Sequence, residues 1–246
     1  IYYQSEEYQF DFTLFHDVNS YNSLIHKFDA IIATHIFPSQ TLTHFYRHDK
    51  LNIPSYFINT DYDPTPMIED IENITVFASH KDVVKGFETR GVPPNRIVPT
   101  GIPVSARFNT PLSKETARAK INGIERDDKV ILIMSGSMGF GSATDTVRDI
   151  IENSDSKTKV IVITGNNERL KEEIDDNFAS TGRVISLGFT DQVPLYLAAC
   201  DILLSKPGGL TTTEAAVLNV PLIHTSPIPG CETANALFFQ KRHMAV

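Results

Sequence analysis

The chain has 246 residues, with 22 Lys and Arg against 30 Asp and Glu for a formal charge of −8, and that excess of acid argues against a general polyanion binder. At 41% hydrophobic and 21% charged it has the balance of a folded globular chain rather than a disordered or fibrous one, and its length suits one large domain or two small ones. Two cysteines, Cys200 and Cys231, are too few for a disulfide framework and stand in no metal-ligand spacing, which points to a reducing compartment.

In chain order, residues 1–27 suggest no element. They carry aromatics and acids in place of a basic-then-apolar leader, and no apolar run anywhere approaches the ~20 residues that cross a bilayer. The sequence opens on Ile1-Tyr2-Tyr3 and closes on Met244-Ala245-Val246 inside an apolar stretch, so a fragment cut at both ends is expected. Short runs rich in Val and Ile then recur at 29–34, 55–58, 130–134, 160–163, 201–204 and 220–223, the pattern of strands buried on both faces of a sheet. Helix spacing fills the gaps. Residues 39–46 open on a serine and place Leu42 and Phe45 three apart, 81–90 stop at Gly91 before Pro93-Pro94, and 113–121 start afresh after a Pro- and Gly-rich stretch. The βαβα alternation predicts an α/β chain of parallel sheets covered by helices, divided near residue 108 into regions 1–108 and 109–246.

Two turns in the second region could carry chemistry. The strand 130–134 runs into Ser135-Gly136-Ser137-Met138-Gly139-Phe140-Gly141 and then a helix-like segment, 143–152. Backbone N–H groups freed at such a turn suit a phosphate, although glycine for a tight turn alone is the plainer reading. The spacing G-x-x-G-x-G matches neither the dinucleotide fingerprint nor the P-loop. After the strand 201–204 comes Ser205-Lys206-Pro207-Gly208-Gly209-Leu210-Thr211-Thr212-Thr213-Glu214. Here Glu214 could grip the vicinal hydroxyls of a ribose, or Thr211 or Thr212 could cap the helix with Glu214 completing a capping box. Two such turns about 70 residues apart on one parallel sheet fit a nucleoside diphosphate at its carboxyl edge. His35 and Asp61 each follow a strand and could line the facing side of the cleft or serve as polar caps. His44 and His48 could reach one metal, but a solvated helix face is the simpler reading.

The run 205–216, followed by Pro227-Ile228-Pro229-Gly230-Cys231-Glu232-Thr233-Ala234-Asn235-Ala236, resembles the donor-site signature of processive diacylglycerol glucosyltransferases and monogalactosyldiacylglycerol synthases, in glycosyltransferase family 28. Asn59-Thr60-Asp61-Tyr62 and Val98-Pro99-Thr100-Gly101-Ile102-Pro103-Val104 match that family upstream in the same order, and the likeness runs from about Phe28 onward. The resemblance implies two Rossmann-like lobes of the GT-B type, the first incomplete, and an inverting transfer of a hexose from UDP-glucose or UDP-galactose to a lipid acceptor such as diacylglycerol. It implies no cofactor or metal, no nucleic acid, and a peripheral place on the cytoplasmic membrane surface. By position, Gly136, Ser137 and Gly139 would border the diphosphate, and Gly188, Phe189 and Thr190 the uracil. Lys206, Gly208, Gly209, Leu210 and Thr211 would line the diphosphate and sugar, Glu214 the ribose, and Glu232 and Asn235 the sugar hydroxyls. Cys231 stands where the family has a glutamine, and a thiol is the poorer hydrogen-bond partner. The family's histidine base, carried on a glycine-rich loop, has no counterpart near His16 or His26 and is expected upstream of Ile1. Two alternatives stay open, a UDP-binding module without catalysis and an epimerase acting on UDP-N-acetylglucosamine. A dehydrogenase is excluded by the reversed glycine spacing and by the lack of an acid after Ile163-Thr164.

Overall fold

The computed structural model describes residues 3–4, 9–10, 28–48, 52–110, 112–134, 143–225 and 227–246. Strands β1 (Tyr3–Gln4) and β2 (Gln9–Phe10) form a short antiparallel pair. The first parallel sheet contains β3 (Ile31–Ala33), β4 (Ser55–Ile58), β5 (Ile74–Ala78) and β6 (Ile97–Pro99) in sequence order. Helix α1 (Ile36–His48) connects β3 to β4, and α2 (Val84–Thr89) connects β5 to β6. Phe57, Ile74, Val76 and Phe87 are buried from these elements and meet Leu42 and Phe45 of α1. Burial of each such side chain contributes roughly 1.5–3 kcal/mol.

The second sheet has the order β11-β10-β7-β8-β9, all parallel, from β7 (Lys129–Met134), β8 (Thr158–Ile163), β9 (Val184–Leu187), β10 (Ile202–Ser205) and β11 (Leu222–His224). Its helices are α3 (Lys114–Arg118), α4 (Ala143–Glu152), α5 (Glu168–Phe178), α6 (Val193–Ala199), α7 (Gly209–Val217) and α8 (Cys231–Gln240). The central strands are apolar on both faces because helices cover both. Leu132, Ile161 and Leu203 pack with Leu197 and Phe239 on one side, while Ile133, Val160 and Val162 pack with Val147, Ile174 and Phe178 on the other. Strand order reverses at β7, which has β8 on one flank and β10 on the other, and a crevice opens beyond the carboxyl ends at such a switch point.

Several elements differ in extent from the sequence pattern. The helix expected over 39–46 begins at Ile36, because the His35 ring accepts the Phe37 N–H and Pro38 falls in the first turn, where a missing N–H costs nothing. The helix expected over 81–90 splits into a 3₁₀ turn, Lys81–Val83, and α2, with Gly91 at φ 90° ending it. The helix expected over 113–121 is the short α3, capped by Ser113, whose hydroxyl accepts the Thr116 N–H at 3.2 Å.

The amino edge of the second sheet is anchored by Arg118. Its guanidinium donates to Ala199 O at 3.0 Å, Arg126 O at 2.6 Å and Asp201 Oδ2 at 2.7 Å, while Asp201 Oδ2 also accepts the Val130 N–H and Lys114 reaches Oδ1. Burial pushes the Asp201 carboxyl up, but the hydrogen bonds from Lys114 and Val130 and the charge of Arg118 outweigh it and hold the group below its ordinary value. Arg118→Met strands two carbonyls and leaves the Asp201 carboxylate with only Val130 and Lys114, so it should lower stability by about 2–4 kcal/mol, whereas Lys114→Ala at the exposed end should cost under about 1 kcal/mol. Urea denaturation of both variants checks this, and equal losses would deny Arg118 its anchoring role.

Candidate functional site

Helix α7 starts where β10 ends. Gly208 is its N-cap, at φ −70° and ψ 138°, and no side chain caps it. The capping-box reading of Thr211, Thr212 and Glu214 therefore fails, since Gly208 precedes Thr211 by three residues and Glu214 stands in the second turn. Among the described residues, the N–H groups of Gly209, Leu210 and Thr211 donate to no acceptor, which leaves three donors at the positive end of the helix. A Cβ at Gly208 would have no described residue's atom within 4 Å, so the described residues leave the space beside the cap open. Leu210 is exposed and Thr211 half-buried, while the buried Thr212 hydroxyl has no partner among the described residues.

Glu214 is half-buried and makes no hydrogen bond or ion pair with a described residue. Burial alone pushes its carboxyl above the ordinary value. Two unpartnered acceptor oxygens at the flank of an uncapped helix suit a vicinal diol. Lys206 and Glu232, expected at the diphosphate and the sugar, meet each other instead. The ammonium lies 3.2 Å from Glu232 Oε1, both side chains are largely buried, and Oε2 accepts the Ile228 N–H at 2.6 Å.

The loops after β8 and β9 form a cleft of about 400 Å³ lined by Gly165, Asn166, Glu168, Lys171, Gly188 and Phe189. Phe189 is 79% exposed, an unusual position for a large apolar ring. Thr190 turns its hydroxyl to accept the Gln192 N–H at 3.1 Å. Gly136, Ser137 and Gly139 lie outside the described residues.

The first lobe reaches this edge through residues 59–65. Asn59, wholly buried, donates to Asp61 O and Asp63 O and accepts the Thr65 N–H, which folds the segment on itself. Its tip rests on α7. Tyr62 OH lies 2.8 Å from Thr213 Oγ1, and the Tyr62 ring packs 4.3 Å from Phe238 and 4.9 Å from Phe239. Arg242 stacks over Phe238 at 3.5 Å and pairs with Asp82 of the first lobe. Asn235 is fully buried, and its amide is committed to Asp61, Tyr62 and Pro207, so in this arrangement it does not face the open space at Gly208.

His35 is exposed and serves as a polar cap, accepting the Phe37 N–H at 3.3 Å and packing edge-on against that ring. Asp61 and Asp63 form an Asp-x-Asp triplet but take different partners, Asn235 for the first and Arg90, at 3.7 Å, for the second. His44 and His48 lie 4.5 Å apart on the exposed face of α1, and no group of three His, Cys, Asp or Glu suited to a metal occurs among the described residues. Sequence reasoning passed over Thr213 and Arg242, whose contacts exist only once the lobes meet, and it missed His224, whose short strand gave no sign of burial.

Two family models match the chain in succession, "Monogalactosyldiacylglycerol (MGDG) synthase" over residues 2–104 and "Glycosyltransferase family 28 C-terminal domain" over residues 130–243. The processive diacylglycerol beta-glucosyltransferase of Staphylococcus aureus (strain bovine RF122 / ET3-1) is 30% identical over 217 residues, which are 88% of this chain and 54% of that protein. The chain thus spans about half the length of the curated relatives it matches. Among solved structures, Anabaena Alr3699/HepE in complex with UDP aligns with a TM-score of 0.58 at 15% identity, over 92% of this chain and 72% of that one. UDP-GlcNAc 2-epimerase from Neisseria meningitidis, bound to UDP-GlcNAc, aligns at 0.62 and 14%, over 91% of this chain and 71% of that one. At such identities these two likenesses show the fold, a pair of parallel-sheet lobes, and nothing finer.

His224 ends β11, with both ring nitrogens buried and unpartnered among the described residues, and its ring lies 6.2 Å from Phe239. Burial pushes its imidazole below the ordinary value. The unfolded chain therefore takes up this proton first, so stability is full above about pH 6.5 and is lost as pH falls below it, by at most about 1.4 kcal/mol per pH unit. Thermal midpoints from pH 7.5 to 5.5 should decline less steeply for His224→Phe than for the parent chain, and parallel declines would show that this ring does not titrate with folding.

Proposed function

Because this chain belongs to the family that joins a monogalactosyldiacylglycerol synthase region to a glycosyltransferase family 28 C-terminal domain, we propose that it binds a UDP-sugar and serves inverting transfer of a hexose to a lipid hydroxyl, diacylglycerol or its glycosylated form. The observation that carries the donor half is the uncapped start of α7 beside the unpartnered carboxylate of Glu214. The free N–H groups of Gly209, Leu210 and Thr211 would hold the diphosphate, with Lys206 supplying charge at the preceding turn. Glu214 would bind the ribose diol, and the cleft between Gly165 and Phe189 would take the uracil, with Gly188 and Thr190 beside it. Gly136, Ser137 and Gly139 would close the diphosphate site from the turn after β7, and Glu232 would reach the sugar when Lys206 turns to the phosphates.

In a single displacement, the acceptor oxygen would bond to the anomeric carbon as the bond from that carbon to UDP breaks, a base would take the hydroxyl proton, and fixed N–H dipoles would stabilise the departing diphosphate. The names of the relatives favour UDP-glucose over UDP-galactose, and a lipid acceptor places the enzyme at a membrane surface, peripheral and cytoplasmic by this reading. No helix among the described residues is long and apolar enough to cross a membrane. An epimerase would use the same donor pocket, and the lipid-transferase relationship of the whole matched region is what favours transfer.

Calorimetric titration with UDP, with NAD as the comparison ligand, tests the donor site. UDP should bind and NAD should not. Glu214→Gln should weaken UDP by about 10-fold or more, the worth of a hydrogen bond to a charged group. The same change should leave the nucleotide-free thermal midpoint at pH 7 unchanged or higher. The sign follows from the raised carboxyl, whose contribution to stability is lost as pH rises through its folded value, so removing the charge removes a penalty. A folded chain that ignores UDP would end the donor assignment.

A further inference from the structure

We propose that Asn235 is a positioning residue that holds the two lobes closed, and that through it the second lobe sets where the Asp61 carboxylate of the first lobe stands at the start of α7. Its amide group has three partners. Nδ2 donates to Asp61 Oδ1 at 2.8 Å and to Pro207 O at 2.9 Å, while Oδ1 accepts the Tyr62 N–H at 2.6 Å. Two of these belong to the 59–62 segment and one to the turn before α7, so a single planar group ties the lobes together where the donor site is formed. With Asn235 wholly buried, losing it would leave two acceptors and one donor without partners.

Two independent contacts make the same closure. A Cβ at Gly209 would lie 1.7 Å from Thr60 O and 3.4 Å from Asp61 Cα, so glycine is what allows the loop to lie on the helix. Thr213 Oγ1 donates to Gly209 O at 2.6 Å and meets Tyr62 OH, which connects the same turn to the same loop. Interfaces between lobes ordinarily permit hinge motion, and here the hinge has a specific polar lock at its mouth. Asp61 is the one charged side chain in 59–62, so fixing that segment fixes a carboxylate against α7.

Closure is independent of the proposed donor, whereas its effect on nucleotide binding rests on that reading. Asn235→Asp keeps the shape, removes both donors and sets a carboxylate against Asp61. Small-angle scattering should show the radius of gyration rising by about 1 Å or more from the roughly 18 Å of a compact chain of this length. Tyr62→Ala should open the lobes in the same direction and is less buried, so it covers a failure of the first variant to fold. Asp61→Asn retains an acceptor for Asn235 and should stay compact. UDP and UDP-glucose should weaken by the same factor in Asn235→Asp, because a displaced lobe alters the site shared by both. Unchanged scattering in Asn235→Asp and Tyr62→Ala, or a loss confined to UDP-glucose with UDP unaffected, would overturn the proposal and return Asn235 to the sugar. If the parent chain binds neither nucleotide, the donor reading fails and the scattering still decides the closure.

Discussion

The donors left free at the start of α7 constrain the rest of the carboxyl edge. A helix start that no side chain caps must find its acceptors elsewhere, and the elements around it are arranged to leave that space open on one side and filled on the other. Strand β10 delivers the turn into the crevice where the strand order reverses beside β7, and the first lobe covers the flank at Gly209. The apolar packing of both sheets holds these ends in register. Polar chemistry is confined to their rims, where backbone groups run out of partners.

Charge is managed at the same rim. Glu232 already neutralises the Lys206 ammonium within a largely buried pair, and a second acceptor bond from the Ile228 N–H keeps the carboxylate in place. A buried cation can be kept at a turn only if something balances it, and Glu232 does so here. Glu214 has no such balance among the described residues. Its desolvated carboxylate is a local cost to the fold of the kind expected where binding rather than stability decides the residue.

The parallel sheets were legible because their longest strands are nearly uninterrupted Val, Ile and Leu, as in 130–134 and 160–163. Strand β5, Ile-Thr-Val-Phe-Ala, and β9, Val-Ile-Ser-Leu, were passed over because a polar residue interrupts each run, and only tertiary packing decides that Thr75 and Ser186 sit in sheets. The turn after β10 followed from its Pro and Gly residues, but the start of α7 at Gly209, which puts Glu214 in the second turn, did not. The partner of Lys206 did not, since Glu232 lies on another element, and neither did the task of Asn235. Its three partners are up to 174 residues away in the chain, and no local pattern carries contacts of that separation. Tyr62 stood within a recognisable run, yet its role between Thr213 and the Phe238-Phe239 pair depends on the docking of one lobe against the other.

Gly208 adopts a backbone conformation open to any residue, and a Cβ there would touch none of the described residues. Steric need therefore does not account for glycine at this position, as it does at Gly209. Serine or aspartate there could satisfy a first-turn N–H and would stabilise the helix by about a few tenths of a kcal/mol relative to glycine. The chain forgoes that gain. An internal cap would occupy the donors permanently, and its absence keeps the helix start responsive to whatever arrives from solution, so at this residue the fold is less stable than its own geometry would permit.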